Sequence, residues 1–530
     1  MKLKFNYIII LAFAAFFSCT KGFEEMNETP DKPSISTLTI PGLFNGISKD
    51  ITNGNDALNI YLLLDLTNQQ AVQNEVTSTA IYNAGLWNSY YPVLFDYKKL
   101  QDLINNSPAK AEYSNVKFIA DILMASKTLQ MLDFYGDIPY TQAGMADNLE
   151  SRRPAYDKQV DIYKSVLADL KSAAEGIKIG DATQISIGNS DSFLKNDFTA
   201  WIRFANALRL RYAVRLYEKE QALASEIITD IIGGNKPLPM NQDPAALEKN
   251  NFGFWPGKVA PVVTTDRLWS SFAENSISKI RMSSNVWAQM SSNNNTDGSG
   301  IFDPRTKVWF MTNNADLWVP QPQNHSVIDG GDPYPGDGAR PAIGADADNK
   351  YASFNVNLLF NGRQNYPYLI ISEADVYFLK AEIYQRGLGV AKDVAAAKTA
   401  YEAGIKSSID FWYAMSWITN LPTKPTPAEI TTFLNVPSVA YNGADDADAF
   451  KKIVTQAWLS AIWNPMEGWA LVRRTGLTPK DPTYTPLVRP NKVPYPADEE
   501  LNNRTNWLAA LGGTALSLDQ QAQIKVYWMP

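Results

Sequence analysis

The amino-acid sequence predicts an all-α dominated protein with a large irregular face that is rich in loops. Three observations predict this class. Apolar residues recur at the 3.6-residue helical period in several long segments, one segment repeats a pair of helices, and the stretch between residues 241 and 365 shows neither a helical nor a strand period. We therefore expect a single domain at 41–530, with helical repeats over about 41–240 and 366–475 and an irregular insertion over about 241–365.

Four segments have the periodicity of long helices. In the first of them, Val116, Ile119 and Leu123 fall close together on a helical wheel, as expected of a buried helix face. The four segments are Tyr113–Asp133, Tyr156–Ile177, Phe198–Tyr217 and a last helical block, Phe450–Arg474.

The third predicted helix carries four arginines along its length: Arg203, Arg209, Arg211 and Arg215. They could form a basic binding face, or they could cover aromatic neighbours and pair with acids. We favour the second interpretation, because arginine stems pack well on apolar surface while their charged ends remain able to pair.

The segment Tyr366–Trp412 predicts a tetratricopeptide-like helix pair. Large and small residues alternate at helical spacing on both helices, so that the small residues would let two antiparallel helices approach while aromatic rings fill the space between them. The residues in this pattern are Tyr377, Ala381 and Tyr384 on the first helix, and Ala397, Tyr401 and Gly404 on the second.

The N-terminus has the layout of a bacterial lipoprotein signal peptide at residues 1–18. Lys2 and Lys4 precede ten apolar residues, which rise only about 15 Å as a helix, half of the roughly 30 Å needed to span a bilayer. Small Ser18 then precedes Cys19, the only cysteine in the chain, which we expect to be lipidated. Residues 19–40 are polar and contain prolines, as in a flexible tether.

Composition argues against a nucleic-acid-binding protein and against a disulfide-stabilised protein. Removal of residues 1–18 takes away two lysines and no acid, so the formal net charge goes from −7 to −9, which argues against nucleic acid as a partner. A single cysteine provides no disulfide framework, so stability must come from a packed core.

The whole mature chain resembles the SusD/RagB family of nutrient-binding outer-membrane lipoproteins of Bacteroidetes-type bacteria. Several segments carry the resemblance in the expected order along the chain. They are CTKGFEEMNETPDKP after the lipid cysteine, FYGDIPYTQA at Phe134–Ala143, Asn196–Leu216, FDPRTKVWF at Phe302–Phe310, Tyr366–Gly387, EGWALVRRTG at Glu467–Gly476, and VPYPADEELNN at Val493–Asn503.

The resemblance implies four tetratricopeptide-like helix pairs that support an irregular ligand-binding face. It also implies pairing with a SusC-like TonB-dependent barrel transporter, over which the lipoprotein closes as a lid. The ligands of the family are mostly glycans, with peptides in some branches. The protein would then be lipid-anchored at the outer membrane and face the cell exterior.

Loop aromatics are the candidate ligand-binding residues, because sugars present flat apolar faces with hydroxyl rims. We expect Trp318 first, since neither a helical nor a strand period surrounds it, and then Tyr82, Asn83 and Trp87. Each could instead be a core residue, and Trp87 begins a helix-like run. His325 could touch ligand because it follows Trp318 closely. By contrast, we expect Trp287 and Trp309 to be packing residues.

A cell-envelope glycoside hydrolase is the competing function, because hydrolysis of sugars can use two carboxylates. No acid lies in a recognisable catalytic motif, and the single histidine leaves little for a Ser–His system or for zinc. We therefore expect no catalytic residues. A third possibility is a scaffold whose repeats bind only protein.

One loop partly follows a calcium-binding pattern. Asn293, Asn295 and Asp297, with Gly298 after them, fit the first half of an EF-hand loop, but Pro304 falls where the bidentate glutamate belongs. We interpret the segment as an Asn-rich loop and expect neither a metal nor a cofactor besides the N-terminal lipid, although structural calcium is not excluded.

Overall fold

The computed structural model describes residues 38–51, 63–71, 83–145, 152–241, 246–255, 281–292, 295–313, 315–323, 351–355, 367–415, 421–482 and 489–530. The predicted signal peptide, Cys19 and nearly all of the tether lie outside the described residues. Within the described residues helices dominate, which confirms the predicted fold class.

The α-helices include every long periodic segment of the sequence. In chain order they are α1 (Ile40–Asp50), α2 (Leu64–Leu66), α3 (Asn83–Asn105), α4 (Ser114–Tyr135), α5 (Gln159–Gly176), α6 (Phe198–Leu216), α7 (Gln221–Ile228), α8 (Ser284–Met290), α9 (Thr306–Trp309), α10 (Glu373–Arg386), α11 (Val394–Tyr413), α12 (Pro427–Leu434), α13 (Asp446–Ser460), α14 (Pro465–Thr475), α15 (Ala497–Asn502), α16 (Arg504–Ala510) and α17 (Leu518–Ala522). A π-helical turn at Thr229–Gly233 continues α7, and 3₁₀ turns lie at Gly188–Ser190, Leu247–Lys249 and Ala461–Trp463.

The strands are short, and most of them border the irregular region. They are β1 (Gln70–Ala71), β2 (Ile138–Pro139), β3 (Tyr156–Asp157), β4 (Phe252–Phe254), β5 (Arg281–Met282), β6 (Phe310–Met311), β7 (Ser353–Phe354) and β8 (Tyr368–Ile371). Antiparallel pairing gives a four-stranded sheet in the order β1-β5-β7-β6 and the two-stranded sheets β2-β3 and β4-β8.

Consecutive helices pack against each other in pairs, as the resemblance implied. Such pairs are α4 with α5, α6 with α7, α10 with α11, and α13 with α14. The first helices and the C-terminal segment enclose the largest core, α10 to α13 enclose a smaller one, and a third core lies under the irregular region against α11 and α13.

The prediction that Phe450–Arg474 forms one continuous helical block is wrong. The chain leaves α13 after Ser460, passes through a 3₁₀ turn and starts α14 at Pro465. Proline has no backbone N–H to donate, and it is therefore tolerated in the first turn of a helix but not inside one. The block is also not the last, because α15 to α17 follow it.

The predicted repeat forms the pair α10–α11, with one change in the packing residues. Ala381 and Gly404 are the small residues at the contact, but the ring that fills the space is Phe378. A Cβ on Gly404 would lie 2.8 Å from Cε1 of Phe378, so only glycine admits that ring. The expected Tyr377 and Tyr384 are only half-buried, because they lie two turns apart on the neighbouring face of α10.

Local sequence explains where α10 begins and ends. Ser372 accepts from the backbone N–H of Asp375 at 3.1 Å, and the Asp375 carboxylate accepts from the N–H of Ser372 at 2.9 Å. This reciprocal capping box satisfies two N–H groups that a helix start leaves without partners. At the other end Gly387 adopts the left-handed conformation, with φ of 67°.

The four arginines of α6 are buried and at least three of them pair with acids, which confirms the second interpretation of that helix. Nη2 of Arg209 lies 2.7 Å from Oδ2 of Asp230. The guanidinium of Arg211 lies 3.1 Å from the Asp375 carboxylate and 3.2 Å from that of Glu467. Burial opposes ionisation of Glu467, but the nearby arginines outweigh it and hold the pKa of this carboxyl below its ordinary value.

Arg215 bridges two helices of the core through the carboxylates of Asp133 and Glu467. Its guanidinium lies 4.6 Å from the ring centroid of Tyr212 and 5.7 Å from that of Trp528. Because an unpaired charge in this position would be costly, the ion pairs fix how α4, α6 and α14 meet.

In the part of the chain that the structure describes, no helix is both long and apolar enough to cross a membrane.

Candidate functional site

The structure describes only part of the predicted ligand-binding set. Tyr82 and His325 lie outside the described residues, and of Asn83 only the backbone is described, as the first residue of α3. A ligand-binding role for these three residues therefore stays a prediction.

Trp87 is a core residue, which corrects the expectation that it faces a ligand. Its side chain is 3% exposed, on α3. The indole has its ring centroid 5.2 Å from Tyr91, 5.0 Å from Tyr135 and 5.6 Å from Tyr495, all in edge-to-face contact. The helical run that begins near Trp87 turns this ring inward, and neighbouring aromatic residues cover it.

Trp318 lies at the surface of the irregular region and is partly buried. Its ring stacks on Trp287 with the planes 9° from parallel and the centroids 6.3 Å apart. Trp287 is 2% exposed, so the inner ring belongs to the core while the outer ring reaches solvent. This stacked tryptophan pair is the feature of the described surface that best matches a platform for a flat ligand.

Two short loops hold the outer ring in place. The amide oxygen of Asn313 accepts from the backbone N–H groups of Ala315 and Leu317 at 2.9 and 3.0 Å, which closes the turn before Trp318. The N–H of Trp318 donates to the carbonyl of Thr296 at 2.6 Å and joins this turn to the neighbouring loop.

Gly298 in the neighbouring loop is required by both space and backbone conformation. Its φ is +83°, and a Cβ would lie 2.9 Å from Cδ1 and Nε1 of Trp318. The backbone of this loop therefore packs closely against the edge of the outer ring.

Helix α8 positions the inner ring. Ser283 caps the helix by accepting from the N–H of Val286 at 3.1 Å. Nδ2 of Asn285 donates at 3.1 Å to the carbonyls of both Asn68 and Pro479, which ties α8 to two distant parts of the chain.

Most tryptophans of the irregular region are packing residues. Trp255 is 6% exposed and Trp309 is 0% exposed, so Trp287 and Trp309 confirm the prediction made for them. The high tryptophan content of this stretch therefore reflects a core beneath the loops, with Trp318 at its edge.

A buried ion pair under this region was not predicted from the sequence. Asp303 and Arg305 are both 0% exposed, with Nη2 of Arg305 2.6 Å from Oδ2 of Asp303. Arg305 also donates to Gln456 at 2.7 Å and to Ser408 at 3.2 Å, on helices α13 and α11. The DPR letters were visible in the sequence, but no local signal shows that both charges would be buried against distant helices.

The loop with the partial calcium pattern forms a local turn. Oδ1 of Asp297 accepts from the N–H of Ser299 at 2.9 Å, and this hydrogen bond holds the pKa of the Asp297 carboxyl below its ordinary value. Over the described residues no group of three or more Asp, Glu, His or Cys side chains could hold a metal ion.

The fold defines the class of protein: a helical-repeat scaffold that carries an irregular, aromatic-rich face. Residues 30–496 match the SusD-like family described as "Starch-binding associating with outer membrane", and the chain belongs to this family. Its members are outer-membrane associated and are binding proteins rather than enzymes, and carbohydrate binding is supported at the family level.

Solved structures show the same fold over almost the whole chain. A chitin-binding protein superposes with a TM-score of 0.69 and 22% identity, covering 93% of this chain and 100% of its own. A SusD homolog from Parabacteroides distasonis gives 0.68 and 19%, covering 93% and 98%. A chitin-binding SusD homolog from Flavobacterium johnsoniae gives 0.64 and 22%, covering 92% and 98%. No curated protein sequence matches the chain significantly.

Proposed function

We propose that this protein is a lipid-anchored, cell-surface glycan-binding protein that delivers oligosaccharide to a SusC-like TonB-dependent transporter and acts as its lid. The stacked tryptophan pair is the observation that carries the ligand class. Trp318 presents a partly exposed ring that Trp287 holds from below, and aromatic rings of this kind bind the apolar faces of sugars.

Polar side chains next to the outer ring complete a site of the kind that sugars need. Exposed polar residues on the loop that touches Trp318 are Asn295, Asp297 and Ser299. Asp316 is exposed on the turn that precedes Trp318. Amide and carboxylate groups at the rim of an aromatic platform can bind hydroxyls and fix the orientation of a ring.

Binding is tested by titrating the mature chain with chito-oligosaccharides, starch oligosaccharides and a peptide panel, using tryptophan fluorescence and calorimetry. Chitin fragments come first because two proteins of similar structure are named as chitin-binding. We expect Trp318→Ala to weaken glycan binding about tenfold, which corresponds to about 1.4 kcal/mol.

Leu317→Ala is the matched control, because Leu317 is 37% exposed on the same loop and should change affinity little. A response to peptides alone would identify the ligand as a peptide rather than a glycan. Release of reducing sugar, or unchanged affinity in Trp318→Ala, would contradict the proposal.

The anchor and the partner are tested in the membrane. Cys19→Ala should release the protein from the membrane fraction, because a lipid on this residue is the proposed anchor. A TonB-dependent transporter should co-purify with the wild-type protein in mild detergent. Retention of the Cys19→Ala variant on the membrane, or purification without a transporter, would contradict this part of the proposal.

A further inference from the structure

A basic cleft lies beside helix α14, away from the stacked tryptophan pair. It has a volume of about 190 Å³ and is bounded by Arg473 of α14, by residues 66–68, and by the segments 478–480 and 489–491. An engineered apolar cavity of about 150 Å³ holds benzene, so this volume is sufficient for a group the size of a single sugar ring.

The charged side chains among the described lining residues of the cleft are all positive. Among its described lining residues are three cations, Arg473, Lys480 and Arg489, and no aspartate or glutamate. Lys480 and Arg489 are exposed at the rim. The nearby carboxylate of Asp481 accepts from Ser284 at 2.8 Å.

The third cation, Arg473, is 8% exposed, and only some of its guanidinium N–H groups have hydrogen-bond acceptors. Nη1 donates at 2.8 Å to the carbonyl oxygens of Asp133 and Asn491. Among the described residues no acceptor lies within hydrogen-bonding distance of Nη2. A buried cation that is only partly hydrogen-bonded is costly, so its positive charge favours an anion in the adjoining cleft.

The surroundings of Arg473 hold its guanidinium without neutralising it. The guanidinium carbon lies 3.4 Å from the ring centroid of Trp469 and 4.8 Å from that of Trp528. Burial lowers the pKa of Arg473 to about 9, Asp133 opposes this change, and the Arg215 cation adds to it. Since Asp133 is already paired with Arg215, the cleft still lacks a counter-charge.

We propose that this cleft binds an oxyanion, a carboxylate or a sulfate, which Lys480 and Arg489 contact from the rim while the buried charge of Arg473 attracts it from below. Arginine forks match the paired oxygens of such groups, and the two rim cations attract them from solvent.

The cleft and the stacked tryptophan pair lie on opposite faces of α8. Asn285 donates hydrogen bonds to the carbonyls of Asn68 and Pro479, both of which line the cleft. Trp287, two residues further along the helix, stacks on Trp318. Two residues correspond to about 200° around a helix. The anion site is therefore separate from the candidate glycan site and does not depend on it.

The test is calorimetric titration of the mature chain with sodium sulfate, sodium glucuronate and glucose at constant ionic strength. We expect the two anions to bind and glucose to bind at least tenfold more weakly. Binding of sulfate alone would identify a free inorganic anion as the source, and binding of glucuronate alone an acidic sugar; both results support the site.

Variants show whether the named cations are responsible. The rim double variant Lys480→Gln with Arg489→Gln should weaken anion binding about tenfold, because two exposed charges are removed. Lys406→Gln with Lys451→Gln removes two exposed lysines outside the cleft and should leave affinity unchanged. Arg473→Met removes the buried charge below the cleft and should also weaken anion binding.

Three results would overturn the proposal: no binding of either anion, glucose binding as tightly as glucuronate, or wild-type anion affinity in the rim double variant. Trp318→Ala should leave anion affinity unchanged. Failure of the glycan proposal and failure of the anion proposal can therefore be distinguished.

Discussion

The helical core and the irregular region at 241–365, here called the tryptophan-rich region, both bury indole rings, but several of these rings differ in how their Nε1 groups are satisfied. In the helical core Trp528 donates through Nε1 to Asp133 at 2.8 Å, and Trp201 donates to Asp191 at 2.8 Å. In the other region, Nε1 of Trp287 and of Trp309 has no acceptor among the described residues, although both side chains are buried.

This difference indicates a difference in role. The helical core is closed by its own polar network, so its stability depends on exact pairing of buried groups. The tryptophan-rich region also has one buried ion pair, Asp303–Arg305, but most of its core is packed rings, and it extends to the surface at Trp318. We infer that substitutions in the first region act mainly on folding, whereas those at the edge of the second act mainly on binding.

The largest expected effect is at Asp133, the centre of the polar network. Its carboxylate accepts from Tyr163, Tyr212 and Trp528 at 2.8 Å each and pairs with Arg215. Asp133→Ala should lower the free energy of unfolding by more than about 5 kcal/mol, because it removes one of the two carboxylates that pair with the buried Arg215 and the acceptor that three buried donors share. Urea denaturation measures this loss.

Glu500→Ala is the control for this prediction. It removes an exposed carboxylate that pairs with Arg504 at 2.6 Å and should cost at most about 1 kcal/mol. A similar loss in both variants would show that the buried network contributes no more than a surface ion pair.

The stacked tryptophan pair should give a smaller and asymmetric effect. Trp287→Ala empties a core position and should cost about 3–5 kcal/mol in urea denaturation. Trp318→Ala truncates a partly exposed ring, and we expect about 1–2 kcal/mol. Equal costs would mean that both rings are core residues, and the distinction between packing and binding within the pair would be lost.

The last expected effect is a gradual pH dependence at Lys492, which is 2% exposed and donates to the carbonyl of Tyr135 at 2.9 Å. Burial lowers the pKa of Lys492 to about 7 from an ordinary 10.5. Between these values the unfolded chain binds more protons, so stability should rise with pH by up to about 1.4 kcal/mol per unit. Urea unfolding at pH 7, 8 and 9 measures the rise.

Lys492→Met should lack this rise, whereas Lys451→Met, which changes an exposed lysine, should keep it. An equally steep rise in Lys492→Met would show that another group titrates in this range.

The sequence predicted the helices well because helical periodicity is a local property. The segments at Tyr113–Asp133 and Phe198–Tyr217 match α4 and α6 to within two residues. The division of Phe450–Arg474 was missed even though Pro465 was visible, because the apolar pattern continues on both sides of the proline.

The candidate site was less predictable. Sequence context separated Trp318, which no regular period surrounds, from Trp287 in a helix-like run and from Trp309 after the DPR motif. It gave no sign that Trp287 and Trp318 would stack. The expectation of a ligand contact failed for Trp87, because the tyrosines that cover it include Tyr135 and Tyr495, which lie far from it in sequence.

The sequence by itself determined the helical class, the helix pair α10–α11 and the family, because each depends on patterns within short segments or on their order along the chain. Only the tertiary structure decided which side chains meet. Phe378 rather than Tyr377 fills the space at Gly404, and Nε1 of Trp458 donates at 2.8 Å to the carbonyl of Thr67, 391 residues away. Such contacts depend on how distant segments pack together, and no local pattern encodes them.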